Sequence, residues 1–162
     1  MSDTPASDLL RAAHRTMETH LDSLLAALKQ LGADRVGDIR RDFLAMQRLA
    51  DIHFDQEERV FYPAVRSIAP QTLVTMDEQH EVVRQTERGL GEFLESISLS
   101  PTRRELDELH RLGIEFHDAI QMHIIDEEDQ LLKTADKVLT GAEQQRLAAQ
   151  MLQFEAGKAD SA

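Results

Sequence analysis

The chain contains no cysteine and no tryptophan, and only one tyrosine, four prolines and seven glycines in 162 residues. Without cysteine there is no disulfide, no iron–sulfur cluster and no thiolate-bound zinc. Any metal must be held by His, Asp or Glu. No apolar run approaches the roughly 20 residues a membrane helix requires, so no membrane partner is expected. The opening Met1-Ser2-Asp3-Thr4-Pro5 lacks the basic and apolar regions of a secretory signal. The expected location is cytoplasmic. Basic residues are also scarce. Eighteen Lys+Arg against 30 Asp+Glu leave a formal charge of −12. Such a surface repels phosphate backbones, and no nucleic acid partner is expected.

What is present is a helix-forming composition, rich in Leu, Ala, Glu, Gln and Arg, with no strand-like alternation. Residues 1–7 are small and polar, and a disordered tail is expected there. Leu10, Ala13, Met17, Leu21, Leu24, Leu28 and Leu31 recur at three- and four-residue steps and predict a helix from Asp8 to Leu31, with Gly32 as its C-cap. A second helix is predicted from Asp38 to Phe61, bent or ended by Pro63. A third opens at Pro70 and runs to Ile97. A fourth opens on Ser100-Pro101 as N-cap and first helical residue. Residues 8–139 are therefore expected to form an all-α, up-down-up-down four-helix bundle. A short C-terminal helix should occupy 140–154, and 155–162 should fray. Either a monomer or a homodimer suits this surface.

Two segments read alike. His53-Phe54-Asp55-Gln56-Glu57-Glu58 and His123-Ile124-Ile125-Asp126-Glu127-Glu128 each place a histidine four residues ahead of a glutamate. Residues four apart on a helix point the same way. At ~100° per residue, His53 with Glu57, His123 with Glu127, and His80 all fall on the apolar stripes of their helices. Glu58 and Glu128 turn roughly 100° further off. A lone histidine on such a stripe is ordinarily a hydrogen-bonded core residue. A buried carboxylate, however, needs a partner, and few basic residues share these faces; Arg84 is the main exception. A cation cluster accounts for both acids and the inward histidines together. On the first helix, His14 and His20 lie about 60° either side of the apolar stripe, and phase alone does not choose between them.

The order His, His-x-x-x-Glu, His, His-x-x-x-Glu over four helices resembles the hemerythrin-like HHE cation-binding family. The likeness extends to His53-Phe54-Asp55-Gln56-Glu57-Glu58 with its Phe61-Tyr62-Pro63 ending, to Glu78-Gln79-His80-Glu81, and to His20-Leu21-Asp22. This last segment favours His20 over His14. The resemblance covers about residues 9–135. It implies two iron ions, oxo- or hydroxo-bridged, with His20, His53, His80 and His123 as terminal ligands and Glu57 and Glu127 as bridges. Manganese or zinc suits the site less well. It further implies a protein that binds or senses a small diatomic ligand such as oxygen or nitric oxide, or peroxide, iron or redox state, rather than a turnover enzyme.

The chain departs from the oxygen carriers of the family in two places. Met76 stands one turn before His80, where they carry a further histidine, and Glu127 follows His123 by four residues, where they carry an Asp at five. Water, Glu87 two turns after His80, or nothing at all is expected in place of the missing donor. Two other readings compete. A ferritin-like di-iron oxidase requires Glu-x-x-His pairs; only Asp77-x-x-His80 and Asp107-x-x-His110 come near. A metal-free helical interaction module would leave the inward His/Glu set without a purpose.

Overall fold

The computed structural model of the chain describes residues 4–159. Helix α1 spans Ala6–Lys29. A 3-10 turn, Ala33–Arg35, leads into α2, Val36–Gln56, which continues through a π-helical turn, Glu57–Phe61, into Tyr62–Val65. Helix α3 spans Pro70–Ser96. Helix α4, Arg103–Asp126, continues through a second π-helical turn, Glu127–Leu132, into Lys133–Val138. Helix α5 spans Gly141–Ala159. There is no strand among the described residues, and no helix among them is long and apolar enough to cross a membrane.

The four long helices form a ring of antiparallel neighbours. Each packs on the helix before and after it, and α4 closes against α1. The close approaches fix the directions. A Cβ on Gly113, early in α4, would lie 2.7 Å from Leu28 Cδ2 near the end of α1. One on Gly91, late in α3, would lie 3.1 Å from Phe43 Cζ, early in α2. Glycine is what lets these helix pairs sit so close.

The termini differ from expectation in instructive ways. Helix α1 starts at Ala6, inside the segment expected to be disordered. Ser7 N donates to Gln144 Oε1 at 3.1 Å and Ser7 Oγ to Asp136 Oδ1 at 2.6 Å, which ties this end to the rest of the fold. Met1–Asp3 lie outside the described residues. The first helix ends at Lys29, short of Gly32. Pro63 does not end the second helix, because the π turn has already rearranged the hydrogen-bond ladder ahead of it. Thr102, not Ser100, caps α4; its side chain accepts from Glu105 N in a capping box. Helix α5 runs to Ala159, beyond the expected end at 154, and residues 160–162 lie outside the description. It packs on α1 and α2 and buries Leu147, Ala148 and Met151.

The apolar core is divided in two. One cluster holds Met17, Leu21, Leu24, Ile39, Phe43, Met46, Phe54, Val83, Phe116 and Ile120. The other holds Leu10, Phe61, Tyr62, Leu73, Met76, Leu131, Leu132 and Met151. Between them, every one of the four helices carries a buried polar side chain: His14; His53 and Glu57; His80; His123 and Glu127. Burying six such groups in one layer is costly unless they share a partner.

Candidate metal centre

Both glutamates of the layer open a π-helical turn. Glu57 N–H is shared between His53 O and Phe54 O, and Tyr62 N–H closes the wide turn on Glu57 O, five residues back. Glu127 N–H is likewise shared between His123 O and Ile124 O. The extra residue resets the helical phase. Consecutive side chains, Phe61 with Tyr62 and Leu131 with Leu132, can therefore all be buried. Turns of this kind collect at functional sites.

Two groups of donors result. In the first, His14 Nε2 lies 2.9 Å from His53 Nε2 and 3.2 Å from Glu127 Oε2, and His53 Nε2 lies 2.7 Å from Glu57 Oε1. In the second, His80 Nε2 lies 3.0 Å from Glu57 Oε2 and 3.3 Å from His123 Nε2, which is 3.8 Å from the same oxygen. One oxygen of Glu57 thus faces His53, and the other faces His80 and His123. Metal bonds of about 2.0–2.2 Å at tetrahedral or octahedral angles place neighbouring donors about 2.8–3.6 Å apart. Four of the six separations fall in this range, with His53–Glu57 just below it at 2.7 Å and His123–Glu57 just above at 3.8 Å. Glu57 Oε1 and Glu127 Oε2 are also buried without an aligned hydrogen bond among the described residues, although imidazole nitrogens are close. Groups that crowd together yet do not point at one another share a focus. The donor set fits two cations.

The outer nitrogens reinforce this reading. His80 Nδ1 lies 2.7 Å from Glu58 Oε1, and His14 Nδ1 lies 2.9 Å from Glu128 Oε1. Arg84 donates to Glu58 at 2.7 Å, and Arg15 pairs with Glu128. In the neutral form that binds a metal, a carboxylate on Nδ1 holds the proton there and leaves Nε2 as a lone pair aimed inward. The Glu58 carboxyl sits below its ordinary range through its bond to His80 and, after some opposing burial, through Arg84. Burial pulls His80 down, but Glu57 and Glu58 outweigh it and raise the imidazole to about 9. His14 moves upward too: burial opposes protonation, and Glu127, Glu57 and Glu128 prevail. Burial likewise works against the Glu57 charge, yet His53, His123 and His80 hold its carboxyl well below the ordinary value.

Five of the six residues expected from the sequence converge here: His53, Glu57, His80, His123 and Glu127. His20 does not. It is 35% exposed and its Nδ1 lies 3.7 Å from Asp42 Oδ1, whereas His14 is fully buried among the donors. The reason is axial level. His20 stands six residues, or ~9 Å, further along α1 than His14. A signal for this lay in the sequence. Counting outward from the turn after α1 places His53 near the level of His14, and Asp42 near that of Ser23, whose hydroxyl donates to it at 2.8 Å. Glu87 is also elsewhere; it accepts from Gln47 at 3.0 Å.

Two residues were not anticipated. Phe54 stacks on the His80 ring at a centroid distance of 3.8 Å and meets His123 edge-on at 5.4 Å, so it braces one pair of imidazoles. Tyr62 projects its hydroxyl into the second group. Its oxygen lies 2.9 Å from Glu127 Oε1, 3.2 Å from His80 Nε2 and 3.5 Å from Glu57 Oε2.

Residues 6–135 match the model of the hemerythrin HHE cation binding domain. The chain belongs to this family. The matched span ends before α5, so that helix is an addition to the domain. Among curated proteins, an uncharacterized protein of Haemophilus influenzae is similar, with 32% identity over 75 residues. That match covers 44% of this chain and 43% of the relative. No solved structure matches. This member of the HHE family is thus a helical bundle with buried His/Glu groups suited to binding cations.

Proposed function

We propose that the protein is a non-haem di-iron protein that binds or senses oxygen, nitric oxide or redox state at a carboxylate-bridged centre. The observation that carries this is the division of Glu57: one oxygen faces His53, the other faces His80 and His123. Glu127 has Oε2 beside His14 and Oε1 beside the Tyr62 hydroxyl. His14 and His53 would hold one ion and His80 and His123 the other, with both glutamates as bridges.

Bound iron would supply the one-electron couple and an electrophilic position for a diatomic ligand or peroxide. The protein supplies the rest. Glu58 and Glu128 fix the Nδ1 protons and so orient two of the four imidazoles. The two apolar layers keep bulk water from the donors. The bridging carboxylates offset part of the cation charge in a core with few other ionised groups.

Imidazole and carboxylate donors also take manganese and zinc. The test is therefore elemental. Protein from iron-replete cells, or loaded anaerobically with ferrous iron, should carry about two irons per chain. Anomalous scattering at the iron edge should place them beside His14/His53 and His80/His123. A preparation that retains almost no iron after loading, or retains another metal in preference, refutes the proposal.

A further inference from the structure

The two halves of the site are built alike but not finished alike. Nine residues after His53 stands Tyr62, and nine residues after His123 stands Leu132. Both are fully buried; Tyr62 directly follows a π-helical turn opened by Glu57, and Leu132 is the last residue of the one opened by Glu127. Tyr62 brings a phenol to the second pair of histidines, whereas its sequence counterpart Leu132 is a hydrocarbon within the apolar cluster.

The second pair is also the one short of donors. It has His80, His123 and one oxygen of Glu57, and the residue one turn before His80 is Met76, packed into the apolar cluster. The Tyr62 oxygen sits among these donors at 3.2 Å from His80 Nε2 and 3.5 Å from Glu57 Oε2, with Glu127 Oε1 at 2.9 Å. These are the separations expected between neighbouring donors on one cation, about 2.8–3.6 Å. The Tyr62 and His80 rings lie nearly parallel, with centroids 5.4 Å apart, so the oxygen is held in place.

We infer that Tyr62 is a metal ligand of this chain, the oxygen donor that completes the His80/His123 position. The inference rests on the di-iron reading above and assigns it one further residue. On binding, the oxygen–metal bond forms as the hydroxyl proton is released to solvent. The hydrogen bond to Glu127 is given up and both Glu127 oxygens become free to bridge. A phenolate adds one negative charge to that of the two carboxylates and the oxo or hydroxo bridge, and a hard anionic oxygen suits ferric iron better than a thioether. The two metal positions are thereby made unequal. The His80/His123 position gains an oxygen from Tyr62, while Leu132, the sequence counterpart of Tyr62, has no donor to offer.

The chain has a single tyrosine, so any phenolate signal is Tyr62. The full chain is loaded anaerobically with ferrous iron and oxidised in air. Iron is counted, and resonance Raman spectra are taken in the visible. The expected result is a visible phenolate-to-ferric charge-transfer band with enhanced ring modes. Tyr62→Phe should abolish both, while iron at the His14/His53 position is retained. About two irons in the wild type without phenolate modes overturns the ligand assignment and leaves the di-iron reading intact. A wild type that takes up no iron overturns both, and the metal count distinguishes the two failures. The wild-type spectrum decides the matter even if Tyr62→Phe does not fold.

Discussion

Glu58 Oε1 lies 2.7 Å from His80 Nδ1, and across the layer Glu128 Oε1 lies 2.9 Å from His14 Nδ1. The two contacts are near copies, one on each half of the molecule, and each carboxylate is backed by an arginine. Removing such an outer partner typically weakens metal binding 10–100-fold. Glu58→Gln and Glu128→Gln should each lower affinity by about that factor, as measured by competition against a coloured chelator. Helical content should be unchanged, because both groups are partly exposed. Undiminished affinity in both variants would show that these bonds do not orient the ligands.

His14 and His20 should behave oppositely. His14→Ala removes a donor from the first group and should reduce the metal content to about one ion per chain. His20→Ala touches only the exposed contact with Asp42 and should retain the wild-type complement. Elemental analysis of the two variants, prepared in parallel, is sufficient. A loss in His20→Ala with none in His14→Ala would contradict the geometry.

Without metal, the layer should make stability depend on pH from both sides. His80 is raised from its ordinary 6.5 to about 9 in the folded state. Its contribution is complete below pH 6.5 and is lost as pH climbs through about 9. Glu57 moves the other way, held well below its ordinary 4.5. Its contribution is present above that pH and is lost as pH falls further. Metal-free protein should therefore melt highest between roughly pH 4.5 and 6.5 and progressively lower towards pH 9. Metal-loaded protein needs neutral imidazoles and should not share the alkaline decline. Calorimetry of both forms across that range checks the difference.

A bound ion that the unfolded chain does not hold raises stability by mass action. At free metal about 1,000-fold above Kd the gain is about 4 kcal/mol per site, or ~8–16 °C in Tm for a chain of this size. Chelator should lower Tm by that order. Equal melting curves with and without chelator would point instead to a layer that is satisfied without metal.

Helix α5 should be a structural part of the fold rather than an appendage. Met151 is fully buried against the second apolar cluster, and its carbonyl accepts from Gln56 Nε2 at 3.1 Å. Met151→Ala should cost about 2–5 kcal/mol, read as a lower urea midpoint with an unchanged m-value. The loaded metal count should survive the change, since no donor lies on α5.

The number of long helices, their apolar faces and five of the side chains that converge in the polar layer were legible from periodicity. Helical phase is a local property set by 3.6 residues per turn, and the paired His-x-x-x-Glu segments carry it unmistakably. Three things were not local. The choice of His14 over His20 depends on axial level across an antiparallel pair, which phase does not encode. The two π-helical turns arise where the carboxylates must meet ligands from other helices; they shift every later residue and bring Tyr62 inward from where an unbroken α-helix would have pointed it. The roles of Glu58 and Glu128 depend on which helix stands beside them. By itself the sequence determined which side chains each helix offers to the core; only tertiary packing decided which of them share a point, because convergence is a relation between helices and no single helix contains it.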